Sequence, residues 1–321
     1  HIDPGGGGLR NDYGIAYGQD DLAAKLPKRL SSYTGIIIKH FQIGGDVRFQ
    51  SVSKKKGEVP SGLAIFPMQA NFQIKTEVKK LTVLAELATL QSDYGVQFRL
   101  NRKFGYIKTG IGEPSFGLKL DDHTVFTRGG NIRLIHGNHR EGMPFVPTLK
   151  NAPFLELGHY KGNTHYSFGM IKGYLYEKSE SSYGRLEHFF SNGSLNKMIG
   201  ASFFRETTAA KDLQMVNLFG GLNRGNLSWM GEVTVAENLV SNRSIASYSE
   251  LTWNVKKGYT ILARIDFFDE SMIYTEDAIR RTTFGLNGST QSGERAILLM
   301  LNQAAVLKIV PRFPGSIIRS K

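Results

Sequence analysis

Residues 72–88 are Phe-Gln-Ile-Lys-Thr-Glu-Val-Lys-Lys-Leu-Thr-Val-Leu-Ala-Glu-Leu-Ala, and this stretch decides the fold. Apolar residues recur at every second position on both sides of Lys79-Lys80, with an interruption at Leu84. Because successive side chains of a β-strand point to opposite faces, this period of two predicts strands that are apolar on one face only. Two such runs around Lys79-Lys80 predict a β-hairpin.

The same alternation continues along the chain. It is clear over residues 96–100, 227–235 and 259–267. Short turn signals rich in Gly, Asn and Lys recur about every 31 residues, and longer polar stretches lie between them. This short–long rhythm predicts an antiparallel meander with all its tight turns at one end, which a soluble propeller or sandwich does not require.

Strand length separates a membrane barrel from the half-buried sheet of a soluble protein. The predicted strands have about ten residues, roughly twice the usual length in globular sheets, and match the 9–11 residues that cross a bilayer. Tyr and Phe near many strand ends are typical of the aromatic girdles of such barrels. The sequence therefore predicts an all-β fold, a transmembrane antiparallel up-and-down β-barrel with short periplasmic turns and long extracellular loops.

Residues 34–313 resemble the porin-like outer-membrane β-barrels of diderm bacteria. The stretch from Ala305 to Phe313 is similar to the closing strand of such barrels, which ends on an aromatic residue, although Pro311 and the following residues 314–321 depart from that pattern. Residues 104–110 and 116–128 are similar to a strand–loop segment of porin-like barrels, some of which sheathe multihaem cytochromes. The resemblance implies a location in the bacterial outer membrane.

The alternation predicts about 16 strands, within roughly 14 to 18. A barrel of this size encloses an aqueous lumen that side chains cannot fill. The predicted domains are a periplasmic N-terminal segment (1–33), the barrel (34–313) and a C-terminal tail (314–321). The predicted strands are 35–53, 62–78, 80–90, 94–101, 104–111, 153–160, 165–176, 184–191, 196–206, 212–222, 227–237, 244–254, 258–269, 279–287, 294–302 and 304–313.

A long loop at 111–152 is the main departure from the hairpin rhythm, and a loop of this length normally has a function or structure of its own. We expect it to fold into the lumen and narrow it. A solvated extracellular loop and two additional strands around Val125 and Ile132 are the alternatives. The constriction candidates are Lys119, Asp121, Asp122, Arg128, Arg133 and Arg140.

Polar residues between the apolar ones are expected to line the channel, because the apolar set must face lipid. The net charge of +12 includes cations on these faces, and an excess of cations in the wall favours a mild preference for anions. The alternative is that the charge lies on loops, where it binds the phosphates of lipopolysaccharide or keeps the protein soluble in transit. The channel-lining candidates are Lys75, Arg99, Glu232, Arg264, Asp266, Lys308 and Arg312.

Several other classes of function find no support in the sequence. Cysteine is absent, and His136 and His139 stand in a glycine-rich loop without a complete ligand set, so no metal site is predicted. No catalytic motif and no cofactor motif is present. The basic residues are scattered rather than clustered, which argues against nucleic acid as a partner. We therefore expect no enzyme.

Two functions remain. The first is a porin-like channel for passive diffusion of small solutes. The second is a structural barrel that houses or anchors a partner, for example a multihaem cytochrome or a surface lipoprotein. The expected partners are outer-membrane lipids and lipopolysaccharide, with a periplasmic or surface protein in the second case.

Overall fold

The structure is a computed structural model that describes residues 36–38, 40–54, 62–88, 93–118, 124–130, 142–145, 152–175, 179–256, 259–273, 278–288 and 297–301. These residues form 16 strands and one 3-10 turn at Phe126–Arg128. The strands are β1 (Ile36–Ile38), β2 (Phe41–Lys54), β3 (Gly62–Val78), β4 (Leu81–Ala88), β5 (Asp93–Arg102), β6 (Gly105–Gly112), β7 (Ala152–Lys161), β8 (Thr164–Lys172), β9 (Glu180–Asn192), β10 (Leu195–Thr207), β11 (Asp212–Arg224), β12 (Leu227–Glu237), β13 (Arg243–Lys256), β14 (Tyr259–Asp269), β15 (Ile279–Gly288) and β16 (Ile297–Leu301).

All the strands belong to one antiparallel sheet, in which each strand pairs with its neighbours in the chain from β1 to β16. The register is continuous over most ladders and shifts between Arg48 and Phe49 and between Asn254 and Lys256. Within the described ranges, no ladder joins β1 to β16. No helix of the described residues is long and apolar enough to cross a membrane.

The two faces of the sheet differ in polarity. On β11, Val216 and Leu218 are more than half exposed, whereas the alternate residues Met215, Asn217 and Phe219 are buried. The same division holds on the neighbouring strands, so large apolar side chains cover the outer face and polar or charged side chains are concentrated on the inner face. This arrangement is that of a sheet with lipid outside and a polar interior.

The two ends of the sheet differ in their connections. Two-residue turns join the strands at one end, the tight-turn end, and longer segments such as 173–179 and 208–211 join them at the other, the loop end. Gly162, Gly193 and Gly225 each open a tight turn with φ near +57°. Glycine accepts this left-handed conformation without the steric cost that a Cβ adds.

The predicted strands agree with the observed ones to within a few residues over most of the chain. The prediction of one strand at 35–53 was wrong, because the chain turns back near His40 and forms β1 and β2. The predicted strand at 304–313, the N-terminal segment 1–33 and the tail 314–321 lie outside the described residues.

Glycine faces an aromatic ring directly across several strand pairs. Tyr106 pairs with Gly158, and a Cβ built on Gly158 would lie 2.1 Å from Cζ of that tyrosine. Three further pairs repeat the arrangement: Tyr183 with Gly169, Phe203 with Gly184, and Phe219 with Gly200. Each ring lies against the glycine of the facing strand, in space that a Cβ there would occupy.

We expect Gly158→Ala to destabilise the sheet by roughly 1–3 kcal/mol, because the new methyl group must displace the ring of Tyr106. The measurement is the urea midpoint for loss of the fast-migrating folded form in unboiled detergent gels. Gly285→Ala is the matched control, since its Cβ would lie 3.6 Å from Leu262, an ordinary contact. Equal midpoints for the two variants would contradict the ring-on-glycine packing.

Candidate functional site

The described parts of the connection between β6 and β7 lie against the inner face of the sheet. These parts are 113–118, 124–130 and 142–145, which we call the inner segment. Phe116, Phe126 and Phe145 of this segment are at most 1% exposed. The ring of Phe116 lies 5.1 Å from that of Phe145 and 6.5 Å from that of Phe204 on the inner face of β10. The inner segment therefore has its own apolar contacts with the wall.

Glu156 of β7 attaches the beginning of the inner segment to the wall. It accepts hydrogen bonds of 2.7 Å from the hydroxyl groups of Ser115 and Tyr106, and the ammonium of Lys108 lies 3.0 Å from the same carboxylate. Its side chain is fully buried. A buried carboxylate requires such partners, because water no longer solvates it.

Glu232 of β12 attaches the middle of the inner segment. Its carboxylate lies 2.6 Å from Nη2 of Arg128, and both side chains are fully buried. Asn217 Nδ2 and the backbone N–H of Leu118 also donate to it, at 2.7 and 2.8 Å. The guanidinium of Arg128 also donates to the carbonyl of Phe116 at 3.0 Å. This pair joins the 3-10 turn, the preceding stretch and the wall at one point.

Gly117 allows this close approach. It has a φ of +65°, and a Cβ at this position would lie 2.1 Å from Nη2 of Arg128 and 2.5 Å from the carboxylate of Glu232. Its N–H donates to the hydroxyl of Ser202 at 2.9 Å, and its carbonyl accepts from Arg185 of β9. A side chain at residue 117 would separate the ion pair from the segment.

Asp266 of β14 is the third wall carboxylate that binds the inner segment, and it contacts the 3-10 turn. Its carboxylate accepts from the N–H of Phe126 at 3.2 Å and lies 3.0 Å from Arg264 and 3.1 Å from Arg281. Both arginines also donate to Thr124, at the start of the turn. Glu250 lies 3.7 Å from Arg264 and is the second carboxylate of this cluster.

The inner segment covers the loop-end half of the wall. On β10, inward residues from Gly200 to Glu206 include buried side chains, whereas Asn196, nearer the tight turn, is exposed. On β11 the buried inward residues likewise begin at Leu213, next to the loop end, and stop at Phe219. On these strands, the inner segment therefore covers the inner face near the loop end and leaves it uncovered toward the tight turns.

The opposite part of the wall, β3–β6, is less covered. Lys75 and Lys108 keep about a fifth of their side chains exposed, and Arg99 is partly buried. The guanidinium of Arg99 lies 4.0 Å from the ring centre of Tyr106 and donates to the hydroxyl of Tyr160 at 2.9 Å. Polar side chains at this wall thus remain in contact with solvent.

The predicted channel-lining residues that the structure describes are on the inner face. Lys75 and Arg99 lie on the partly exposed β3–β6 wall, which we call the accessible wall, whereas Glu232, Arg264 and Asp266 lie under the inner segment. Lys308 and Arg312 lie outside the described residues. The lining role of all of them stays a prediction.

Among the constriction candidates, Arg128 is described, and it is fully buried between the segment and the wall. The other candidates lie outside the described residues: Lys119, Asp121, Asp122, Arg133 and Arg140. Val125 stands at the start of a 3-10 turn instead of in the additional strand that we considered, and Ile132 lies outside the described residues.

Sequence reasoning missed several inward charges. Glu156 alternates with the exposed Leu155 and Leu157, so the period of two was the signal that could have found it. The same signal was available for Lys108, which follows the exposed Ile107, and more weakly for Arg281, which is out of phase with the exposed Phe284 and Leu286. No three His, Asp or Glu side chains of the described residues are grouped as metal ligands.

Solved structures that are similar to this chain include porins. A refined porin structure matches with a TM-score of 0.52 at 12% identity, over 78% of this chain and 89% of the other. The anion-selective porin from Comamonas acidovorans also matches with a TM-score of 0.52, at 11% identity, over 77% and 83%. No protein-family model matches the sequence, and no curated protein matches it significantly. The chain has the fold of the porin-like outer-membrane β-barrels.

We expect Arg128→Ala to release the inner segment while the sheet stays folded. Removing one partner of a buried ion pair leaves an uncompensated charge and costs roughly 3–5 kcal/mol. Limited proteolysis of the detergent-solubilised protein should cut within residues 113–145 of the variant much faster than in the wild type. The unboiled gel shift should be retained.

The matched control is Arg243→Ala, which removes an ion pair of 3.4 Å to Glu237 between side chains that are about half exposed. Such surface pairs contribute little, so its cleavage pattern should equal that of the wild type. The double variant Arg128→Met with Glu232→Met removes both charges and should regain part of the resistance. Wild-type resistance in Arg128→Ala alone would show that the pair does not hold the segment.

Proposed function

We propose that this protein is a non-catalytic, porin-like channel of the bacterial outer membrane that passes small solutes by passive diffusion. The observation that supports this most is the asymmetry of the interior. The inner segment is bound to the β7–β15 wall by buried carboxylates at Glu156, Glu232 and Asp266. The polar residues of β3–β6 remain partly exposed. Solutes would pass between the inner segment and this wall.

The proposal includes a mild preference for anions, supported by the charges along the accessible wall. Lys75 lies 2.6 Å from Glu77, and Lys108 lies 3.0 Å from Glu156, so their charges are compensated. Among the described residues, no carboxylate forms an ion pair with Arg99. Its uncompensated charge in a low-dielectric wall raises the local concentration of anions. The same fold carries an anion-selective pore in the Comamonas porin.

Arg264 and Arg281 contribute less to selectivity in this proposal. Both are about 4% exposed and share the carboxylate of Asp266 under the inner segment. A charge that is paired and covered adds little to the field along the accessible path. Selectivity therefore depends on Arg99 more than on the number of inward arginines.

The alternative is a barrel that holds a partner protein in its lumen. The inner segment already occupies the loop-end half of the β7–β15 wall, which leaves less room for a protein in the lumen. Conductance distinguishes the two functions: a channel conducts without a partner. A purified protein that does not conduct and that retains a co-purifying protein would favour the scaffold function.

We expect the purified protein to conduct ions in planar bilayers, with a reversal potential in a salt gradient that indicates a mild preference for anions. Arg99→Glu should move this potential toward cation preference, because it reverses the uncompensated charge on the accessible wall. Arg264→Gln should have a smaller effect on the potential.

Lys211→Glu provides the control, since Lys211 is exposed at the loop end. Exposed charges farther than the Debye length of about 10 Å from the pore are screened at 0.1 M salt. This variant should leave the potential unchanged. Equal shifts in Arg99→Glu and Lys211→Glu would mean that total charge, and not the β3–β6 wall, sets the preference.

A further inference from the structure

The tight-turn end of the sheet has a row of exposed cations, which we call the basic rim. Its members lie in or next to the tight turns of β3–β4, β5–β6, β7–β8 and β11–β12, and at the end of β13. All of them are exposed. The basic rim consists of Lys79, Lys80, Arg102, Lys103, Lys161, Arg224 and Lys256.

The charges of the basic rim are uncompensated in the described part of the chain. None of its members forms an ion pair there. The carboxylate of Glu77, which is near this end, lies 2.6 Å from Lys75 instead. The rim is therefore a band of positive charge that extends over much of the sheet.

The described part of the loop end has charges of both signs. Arg205 lies 2.8 Å from Asp212, and Arg243 lies 3.4 Å from Glu237. Lys172 and Glu180 stand on either side of the β8–β9 connection. Among the described residues, the unpaired cations next to turns are therefore concentrated at the tight-turn end, whereas the described charges of the loop end include ion pairs.

Apolar and aromatic side chains adjoin the basic rim on the outer face. Nζ of Lys103 lies 4.9 Å from the ring centre of Phe104, and Nζ of Lys256 lies 4.6 Å from that of Tyr259. Val78 next to Lys79 is 60% exposed, and Phe104 is 58% exposed. The cations thus stand where the apolar band ends, at the depth of the lipid headgroups in a membrane barrel.

We propose that the basic rim binds the phosphate groups of anionic phospholipids in the leaflet around the tight-turn end. The proposal rests on the membrane location given under the proposed function. Lysine and arginine at a membrane surface attract anionic lipids within about a Debye length. The spread of the cations along the sheet fits a belt of lipids better than one compact partner. With short turns on the periplasmic side, this is the inner leaflet of the outer membrane.

Lipid retention by the full-length protein tests the proposal. The protein is reconstituted into vesicles of phosphatidylcholine with a rising fraction of phosphatidylglycerol, extracted gently, and analysed by native mass spectrometry. The wild type should retain phosphatidylglycerol several-fold above its share in the vesicle. The variant Lys79→Gln, Lys80→Gln, Lys103→Gln and Lys161→Gln should lose this enrichment, whereas Lys→Arg changes at the same residues should keep it.

The matched control removes cations at the loop end by Lys172→Gln, Arg205→Gln, Lys211→Gln and Arg243→Gln, and it should retain the enrichment. Equal loss in both variants, or no enrichment in the wild type, would overturn the proposal. If the fourfold rim variant does not fold, Lys103→Gln with Lys161→Gln tests the same point with a smaller expected loss. Folding is checked by the unboiled gel shift.

Two further measurements separate this proposal from binding in the opposite leaflet and from the proposed channel function. Vesicles that contain lipid A test the opposite leaflet, and rim-dependent enrichment of lipid A above phosphatidylglycerol would overturn the assignment of the leaflet. Conductance is measured on the same variants. A rim variant that conducts like the wild type but loses lipid enrichment supports the lipid proposal independently of selectivity. A conducting wild type without enrichment would refute the lipid proposal and leave the channel intact.

Discussion

A sheet in lipid must satisfy every backbone N–H and C=O from within, because the hydrocarbon offers no water as a partner. The consecutive antiparallel ladders from β1 to β16 meet this requirement for the strands between them, since each of these bonds to both of its neighbours in the chain. Alternation then divides each strand into a lipid side and an interior side. Val216 and Leu218 outside, with Asn217 inside, are the result on β11.

The inner face of the sheet is polar, and the inner segment is attached to it by hydrogen bonds and an ion pair. Soluble proteins seldom bury carboxylates, yet here Glu156, Glu232 and Asp266 lie under the segment with Ser115, Arg128 and the N–H of Phe126 as partners. Burial of these charges is sustainable because each has several donors. The apolar contacts of Phe116 and Phe145 with the wall accompany these hydrogen bonds and the ion pair of Arg128 with Glu232.

Much of the fold was predictable from periodicity, whereas the contacts of the site were not. Strands such as Asp212–Arg224 and Leu227–Glu237 were found nearly complete, because alternation is a local property of the sequence. The turn near His40 was missed, since no glycine or asparagine stands there. Alternation also placed Glu232 inside, but it contains no information about Arg128, which is 104 residues away in the chain. Local patterns predict the face of a residue and not its partner.

Net charge illustrates the same limit, because a total says nothing about location. The chain has a formal charge of +12. Exposed cations such as Lys79 and Lys103 lie at the tight turns, whereas the buried guanidinium groups of Arg264 and Arg281 form ion pairs under the inner segment. Because exposed charges are screened over about 10 Å, a charge acts mainly on what lies next to it. In our proposals the three regions therefore act on different neighbours: the basic rim on lipid, Arg264 and Arg281 on the inner segment, and the β3–β6 wall on the solute.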